Sequence, residues 1–175
     1  RENIQPEHII CGNGAADLIF RTVFAAKSKK ALLLAPTFSE YEKALSAAGC
    51  EINFYALKEE NDFALGDDYI NVLEGGYDIV FLCSPNNPTG GELSEQCLLE
   101  IVTRCKRLGI LPVIDMSFAD FSENTVSANV LAEAGAAVIK AFTKIYAMPA
   151  LRLGYMLCCD EDLLGKVSLA GQSWS

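Results

Sequence analysis

The sequence has little of what several common functional classes require. It contains one histidine, His8, and no cysteine pair with the spacing Cys-x-x-Cys, so a zinc centre would need an unusual ligand set. Its 14 basic residues are outnumbered by 23 acidic ones, for a net charge of -9. Nucleic acid and anionic membrane surfaces are bound by basic faces. We therefore expect no metal, no nucleic acid and no membrane partner.

Long apolar runs are lacking as well. No apolar stretch reaches the roughly 20 residues that span a bilayer, and we expect no secretory leader in the first residues. The seven cysteines are an odd number, which favours buried free thiols in a reducing compartment over a disulfide framework. These features predict a cytoplasmic protein. With 175 residues, 51% of them hydrophobic, the chain can form one domain with a substantial core.

Short apolar runs alternate with segments of helical periodicity. Several runs, such as "DIVFLCSP", are apolar almost throughout, as strands are when helices cover both of their faces. The alternation predicts a layered α/β domain with a mostly parallel sheet. The predicted strands lie at about 8–12, 30–36, 51–57, 78–85, 111–118, 136–142 and 153–159. The predicted helices lie at about 15–28, 39–49, 93–108, 126–134 and 161–170, and Gly109 is suited to cap the third of them.

Small and polar residues follow the first and fourth runs. In open α/β sheets, ligands bind beyond the carboxyl ends of the strands. The segment 12–16, "GNGAA", leads into a predicted helix, where it is either an ordinary turn or an anion site made of backbone N–H groups. The segment 84–90, "SPNNPTG", is either a plain rigid loop or a holder of fixed amide donors at the end of the strand.

Two charged residues follow the next two runs. Asp115 is either a helix N-cap or a carboxylate aimed at a cationic ligand group, because a buried acid without a partner is costly. About 29 residues separate it from Lys144, enough for one right-handed strand–helix–strand crossover, so both can reach the same end of the sheet. A lone lysine is usually a solvated surface charge, whereas a partly desolvated one becomes a nucleophile toward carbonyls.

Three motifs carry a specific resemblance. "CSPNNPTG", "IDMSFADF" and "AFTKIYAMPALRLGY", in this order, resemble the fold-type I pyridoxal-phosphate enzymes of the class I/II aminotransferase family. The nearest branch looks like the histidinol-phosphate aminotransferases and threonine-phosphate decarboxylases. The resemblance implies a three-layer α/β/α sandwich with a mostly parallel seven-stranded sheet, whose last strand runs antiparallel. It also implies pyridoxal 5'-phosphate as the cofactor.

The same resemblance assigns roles to residues of this chain. Lys144 would hold the cofactor aldehyde as a Schiff base and later move the proton at the substrate Cα. Asp115 would pair with the pyridinium nitrogen and keep it protonated. Asn87 would bind the ring 3-oxygen, and Phe38 would stack on the ring. The phosphate would be held by Arg152 and Thr143, with the backbone of Gly14, Ala15 and Ala16.

The chain departs from the family pattern at three positions. Phe118 stands where relatives often carry a tyrosine whose hydroxyl would assist Asn87 at the cofactor. Ala16 and Ala141 stand where relatives often place a hydroxyl side chain near the phosphate. Side-chain support for the phosphate would therefore be thin, and Arg152 would carry more of it.

Family chains are longer than this one. We expect residues 1–175 to be the cofactor-binding large domain, without the N-terminal arm and the C-terminal small domain. The full-length protein would be a homodimer that acts on a small amino-acid-type substrate. The favoured hypothesis is an aminotransferase of the histidinol-phosphate type. A lyase of the threonine-phosphate decarboxylase type and a catalytically incompetent fragment remain alternatives. A dinucleotide-binding domain is disfavoured, because "GNGAAD" lacks the third glycine of G-x-G-x-x-G.

Overall fold

The computed structural model describes residues 2–123 and 126–171, and seven strands in this part of the chain form one sheet. The strands are β1 (Ile9–Gly12), β2 (Lys30–Ala35), β3 (Glu51–Ala56), β4 (Ile79–Cys83), β5 (Leu111–Asp115), β6 (Ala137–Ala141) and β7 (Gly154–Leu157). Their order across the sheet is β1-β7-β6-β5-β4-β2-β3. Strand β7 pairs antiparallel with β1 and β6, and all other pairs are parallel. The predicted sheet and its antiparallel last strand are confirmed.

Helices cover both faces of the sheet. They are α1 (Ala15–Ala26), α2 (Ser39–Ala47), α3 (Tyr69–Val72), α4 (Glu95–Leu108), α5 (Ala128–Ala134) and α6 (Glu161–Leu169). Buried side chains of α1, α2 and α6 form one core with one face of the sheet. Buried side chains of α3, α4 and α5 form a second core with the other face. This is the three-layer sandwich that the resemblance implies; only the single turn of α3 has no counterpart among the predicted helices.

Strand β4 shows why these apolar runs become central strands. All five of its residues are buried. Phe81 belongs to the core beneath α1 and α2, whereas Val80 and Leu82 belong to the core beneath α4 and α5. Because successive side chains point to opposite faces, a strand between two helical layers is apolar at most of its positions. The helix ends also follow the sequence, since Gly109 has φ 71 and its N–H bonds to the last carbonyls of α4.

The crossover from β5 through α5 to β6 brings two predicted site segments together. The two strands are parallel neighbours, with Asp115 paired to Ile139. Their carboxyl ends therefore lie at the same edge of the sheet, and the residues that follow β6 emerge beside the end of β5. Residues 124 and 125 of this connection lie outside the described part of the chain.

Candidate active site

A cleft with a cavity volume of about 110 Å³ opens at this edge of the sheet. It brings together nine of the ten predicted site residues, and Gly14 lies directly beside it against the Arg152 guanidinium. The nine are Ala15, Ala16, Phe38, Asn87, Asp115, Phe118, Thr143, Lys144 and Arg152. The cleft is also lined by Ala141, and by Cys83 and Ser117, which the sequence analysis did not single out.

Asp115 forms the deep end of the cleft. It is the last residue of β5 and is only 3% exposed. One carboxylate oxygen, Oδ2, accepts a hydrogen bond of 2.8 Å from the Tyr41 hydroxyl, and the other, Oδ1, accepts one of 2.9 Å from the Ser117 N–H. Burial raises the pKa of Asp115, against the opposing effects of the Ser117 and Tyr41 hydrogen bonds and the Lys144 charge. Asp115 is therefore not a helix N-cap. Its hydrogen bonds and the Lys144 charge offset only part of the cost of burying a carboxylate, so the site suits a cationic ligand group.

The opposite end of the cleft is built for an anion. Helix α1 begins at Ala15, directly after Gly14, whose φ of 84 is a conformation that glycine adopts readily. A Cβ added to Gly14 would lie 3.2 Å from Nη2 of Arg152. The guanidinium thus sits at the start of α1, where backbone N–H groups also favour negative charge. The two ends of the cleft therefore carry opposite electrostatic preferences.

Close backbone packing holds this end in place. Gly154, the first residue of β7, passes so near to α1 that an added Cβ would lie 2.8 Å from the backbone N of Ala15 and the carbonyl carbon of Gly14. Only a residue without a side chain permits this approach. It also ties the residue two positions after Arg152 to the first turn of α1.

Lys144 also lines the cleft. It follows β6, is exposed, and its Nζ lies 5.5 Å from the centroid of the Phe118 ring. Within the described part of the chain, the Lys144 side chain is therefore in contact with solvent. Lys140, in β6 itself, is only 8% exposed and is paired with Glu2 at 3.2 Å and Asp120 at 3.4 Å. Of these two lysines, Lys144 is the one that presents its amine to the cleft.

The two asparagines of the "SPNNPTG" loop have different positions. Asn86 is buried, and its side chain bonds to Pro36 O at 3.1 Å, Thr89 Oγ1 at 2.9 Å and Thr37 Oγ1 at 3.1 Å. It therefore fastens the loop to the segment after β2. Asn87, the next residue, lines the cleft.

Three residues at the deep end of the cleft were missed from the sequence: Tyr41, Cys83 and Ser117. Cys83 pairs with Asp115 across β4 and β5, and burial raises the pKa of its thiol to about 12. Ser117 follows Asp115 by two residues. These positions could have been found from strand register and chain proximity, whereas Tyr41 reaches Asp115 from α2 through tertiary packing alone.

The arrangement fits a flat ring with a cationic nitrogen and a phosphate. The buried carboxylate of Asp115 suits the nitrogen, and Arg152 with the start of α1 suits the phosphate. Phe38, which also lines the cleft, offers an aromatic surface to the ring. Charge alone would fix the orientation of such a ligand. Fold and cleft together have the architecture of the pyridoxal-phosphate-dependent transferases.

Comparison with known proteins narrows this class to a family. The profile of the family "Aminotransferase class I and II" matches residues 2–174. The chain belongs to this family, whose enzymes use pyridoxal 5'-phosphate.

Two curated relatives and one solved structure illustrate the similarity. The chain is 36% identical to threonine-phosphate decarboxylase of Salmonella typhimurium, covering 95% of this chain and 46% of the relative. It is 31% identical to histidinol-phosphate aminotransferase of Pseudoalteromonas atlantica, covering 88% and 42%. A decarboxylase structure from Sulfurospirillum multivorans superposes with a TM-score of 0.87 at 29% identity, covering 97% and 50%. The chain thus spans about half the length of the curated relatives it matches.

Two groups of features are absent from residues 2–123 and 126–171. No helix there is long and apolar enough to cross a bilayer. The same residues contain no cluster of three or more side chains suited to hold a metal ion.

Proposed function

We propose that this chain is the cofactor-binding domain of a pyridoxal-phosphate-dependent aminotransferase that acts on a phosphorylated amino-acid derivative such as histidinol phosphate. The observation that carries the proposal is the single cleft shared by Asp115, Lys144 and Arg152. A buried acid, an exposed amine and a guanidinium at a helix start are the three groups that this cofactor needs.

The cofactor, when bound, supplies an electron sink next to the substrate Cα. Asp115 would pair with the ring nitrogen and hold its proton. Phe38 would cover one face of the ring, and Asn87 would donate a hydrogen bond to the ring 3-oxygen. Phe118 adds apolar contact, but it has no hydroxyl with which to assist Asn87.

Lys144 has two tasks. Its amine would hold the cofactor at the aldehyde carbon with release of water, and once the substrate amine had taken its place, the free amine would carry the proton at the substrate Cα. Arg152, Thr143 and the N–H groups of Ala15 and Ala16 would hold the phosphate. Because Ala16 and Ala141 contribute no hydroxyl, Arg152 provides most of the side-chain charge at this end.

Decarboxylation is the second candidate. It is favoured by the 36% identity to a threonine-phosphate decarboxylase and by a further match of 32% to an L-serine phosphate decarboxylase. Both reactions start from the same bound cofactor and differ in which bond at the substrate Cα breaks. The residues described here serve either reaction.

The test supplies the protein and cofactor with histidinol phosphate and a 2-oxo acid acceptor, and separately with threonine phosphate. Transfer of the amino group from histidinol phosphate to the 2-oxo acid would support the first candidate. Release of CO₂ from threonine phosphate would replace it with the second. Cofactor binding without either product would leave a catalytically incompetent cofactor domain.

We also propose a homodimer and a cytoplasmic location for the full-length protein. Four apolar side chains beside the cleft are exposed, with Leu151 at 67%; the other three are Ile145, Met148 and Leu153. A second copy would cover them. All seven cysteines are free thiols, which suits a reducing compartment. The expectation that these thiols are buried is wrong for Cys11, which is exposed, and Cys97 and Cys159 are only partly buried. Analytical ultracentrifugation of the full-length protein and of its Leu151→Asp variant tests the dimer. The unchanged protein should be dimeric and the variant monomeric. A monomeric unchanged protein would contradict the proposal.

A further inference from the structure

One hydrogen bond at the deep end of the cleft has no role in the function proposed above. The Tyr41 hydroxyl, on α2, donates to Asp115 Oδ2 at 2.8 Å, although the two residues are 74 positions apart in the chain. Both side chains are buried, with Tyr41 at 0% exposure and Asp115 at 3%. A hydrogen bond to a buried carboxylate is among the stronger ones in proteins.

The Tyr41 ring is held so that its hydroxyl has little freedom to move. It stacks on Phe81 with the ring centroids 4.9 Å apart and the planes 18° apart. It also meets Phe38 edge to face, with the centroids 5.6 Å apart and the planes at 84°. Burial and the negative charge of Asp115 raise the pKa of Tyr41 well above its ordinary value, so the hydroxyl keeps its proton and remains a donor.

The two donors to Asp115 act on different oxygens. The Ser117 N–H bonds to Oδ1 at 2.9 Å, and the Tyr41 hydroxyl bonds to Oδ2 at 2.8 Å. One donor fixes the position of one oxygen, whereas two fix the rotation of the carboxylate plane as well. Each oxygen retains a lone pair for a ligand.

The Ser117 side chain also lies beside Asp115 and lowers its pKa, but the thiol and the amine nearby cannot replace the Tyr41 hydroxyl. Cys83, from β4, is a buried thiol whose pKa burial raises to about 12, so it carries no charge near neutral pH. Lys144, after β6, is an exposed cation that acts on Asp115 by its charge. Neither provides a second short, directed hydrogen bond to the carboxylate.

We infer that Tyr41 is a positioning residue for the cofactor site: its hydroxyl orients the Asp115 carboxylate toward the ring nitrogen, and its ring sets the angle of Phe38. The part that concerns the cofactor rests on the proposed function. The hold on Asp115 does not, and it can be measured without cofactor.

The test compares Tyr41→Phe with Tyr69→Phe. Tyr41→Phe removes only the hydroxyl and keeps the ring contacts with Phe81 and Phe38. Tyr69 is a matched control, because it is also buried, lies in the opposite core and has a hydroxyl with no hydrogen-bond partner in the described chain. The first readout is the pKa of Asp115 in cofactor-free protein. It is measured by a pH titration that is monitored by carbon NMR of labelled aspartate carboxyl groups. The second is the dissociation constant of pyridoxal 5'-phosphate, measured by equilibrium dialysis.

We expect Tyr41→Phe to move the Asp115 titration to higher pH, because a bond that favours the ionised form is lost. Cofactor affinity should fall about 10- to 100-fold, as expected for loss of a hydrogen bond to a charged group. Tyr69→Phe should change neither value. If Tyr41→Phe matches the control in both measurements, the inference is wrong. If the parent binds no cofactor, the proposed function fails, and the Asp115 titration alone decides whether Tyr41 holds the carboxylate.

Discussion

Replacing Gly154 with alanine should disturb the phosphate end of the cleft. The new Cβ would lie 2.8 Å from Ala15 N and Gly14 C, and 3.1 Å from Gly14 Cα. All three neighbours are backbone atoms, so no side chain can rotate aside. Ordinary contact begins at 3.4 Å, and the start of α1 would have to retreat by about 0.6 Å. Overpacking of this kind costs about 1–3 kcal/mol of the free energy of unfolding.

The same retreat would carry the first N–H groups of α1 away from Arg152. We therefore expect Gly154→Ala to weaken pyridoxal 5'-phosphate binding about 10-fold or more, the equivalent of about 1.4 kcal/mol in hydrogen bonding. The assays are urea unfolding of cofactor-free protein and titration with the cofactor.

Gly165→Ala is the matched control for this substitution. Gly165 lies inside α6 with no other group within 4 Å of an added Cβ. Alanine there should raise the free energy of unfolding by up to about 1 kcal/mol and leave cofactor binding unchanged. The reasoning is refuted if Gly154→Ala unfolds at the parent's urea midpoint and binds the cofactor within about twofold of the parent.

Three further substitutions test the two ends of the cleft. Arg152→Ala should weaken cofactor binding by about 100-fold, because a charge-assisted bond to a dianion is lost; an equal loss of thermal stability without cofactor would show that Arg152 is structural. Gly14→Ala should cost about 1–2 kcal/mol in urea unfolding, because φ 84 is strained for alanine, and an unchanged midpoint would contradict this. Asp115→Asn should reduce turnover of the full-length protein at least about 100-fold, and activity within a few-fold of the parent would exclude the proposed role. Burial raises the pKa of Asp115 in the folded protein above its value in the unfolded chain. At pH values between these two pKa values, the folded protein binds more protons than the unfolded chain. The free energy of unfolding therefore falls as the pH rises from the unfolded to the folded pKa. Asp115→Asn should remove this part of the slope in urea titrations at several pH values.

The strands and most helices could be predicted because the sheet is covered on both faces. An apolar run such as that of β4 has one plausible place in an α/β fold, between two helical layers. The predicted strand, 78–85, is longer than the observed one, Ile79–Cys83. The sequence at the ends of the apolar run does not indicate where the hydrogen bonds between strands stop. Helix α3 could not be predicted, because four residues are too few to show a period.

The site was predictable as far as chain connectivity reaches. The length of one crossover placed Asp115 and Lys144 at the same edge, and the motifs named the residues that line the cleft. The sequence could not show that Tyr41 bonds to Asp115, since that contact depends on how α2 packs against β4. Nor could it show the need for glycine at position 154, which arises only where β7 meets the start of α1.

The central claim is that this cleft binds pyridoxal 5'-phosphate covalently through Lys144. The most direct measurement is to load the chain with cofactor, reduce it with borohydride and map the modified peptide by mass spectrometry. The account predicts a visible absorbance band that borohydride bleaches, and one pyridoxyl group on Lys144. A pyridoxyl group on Lys140, or labels spread over the surface lysines without a visible band, would contradict it.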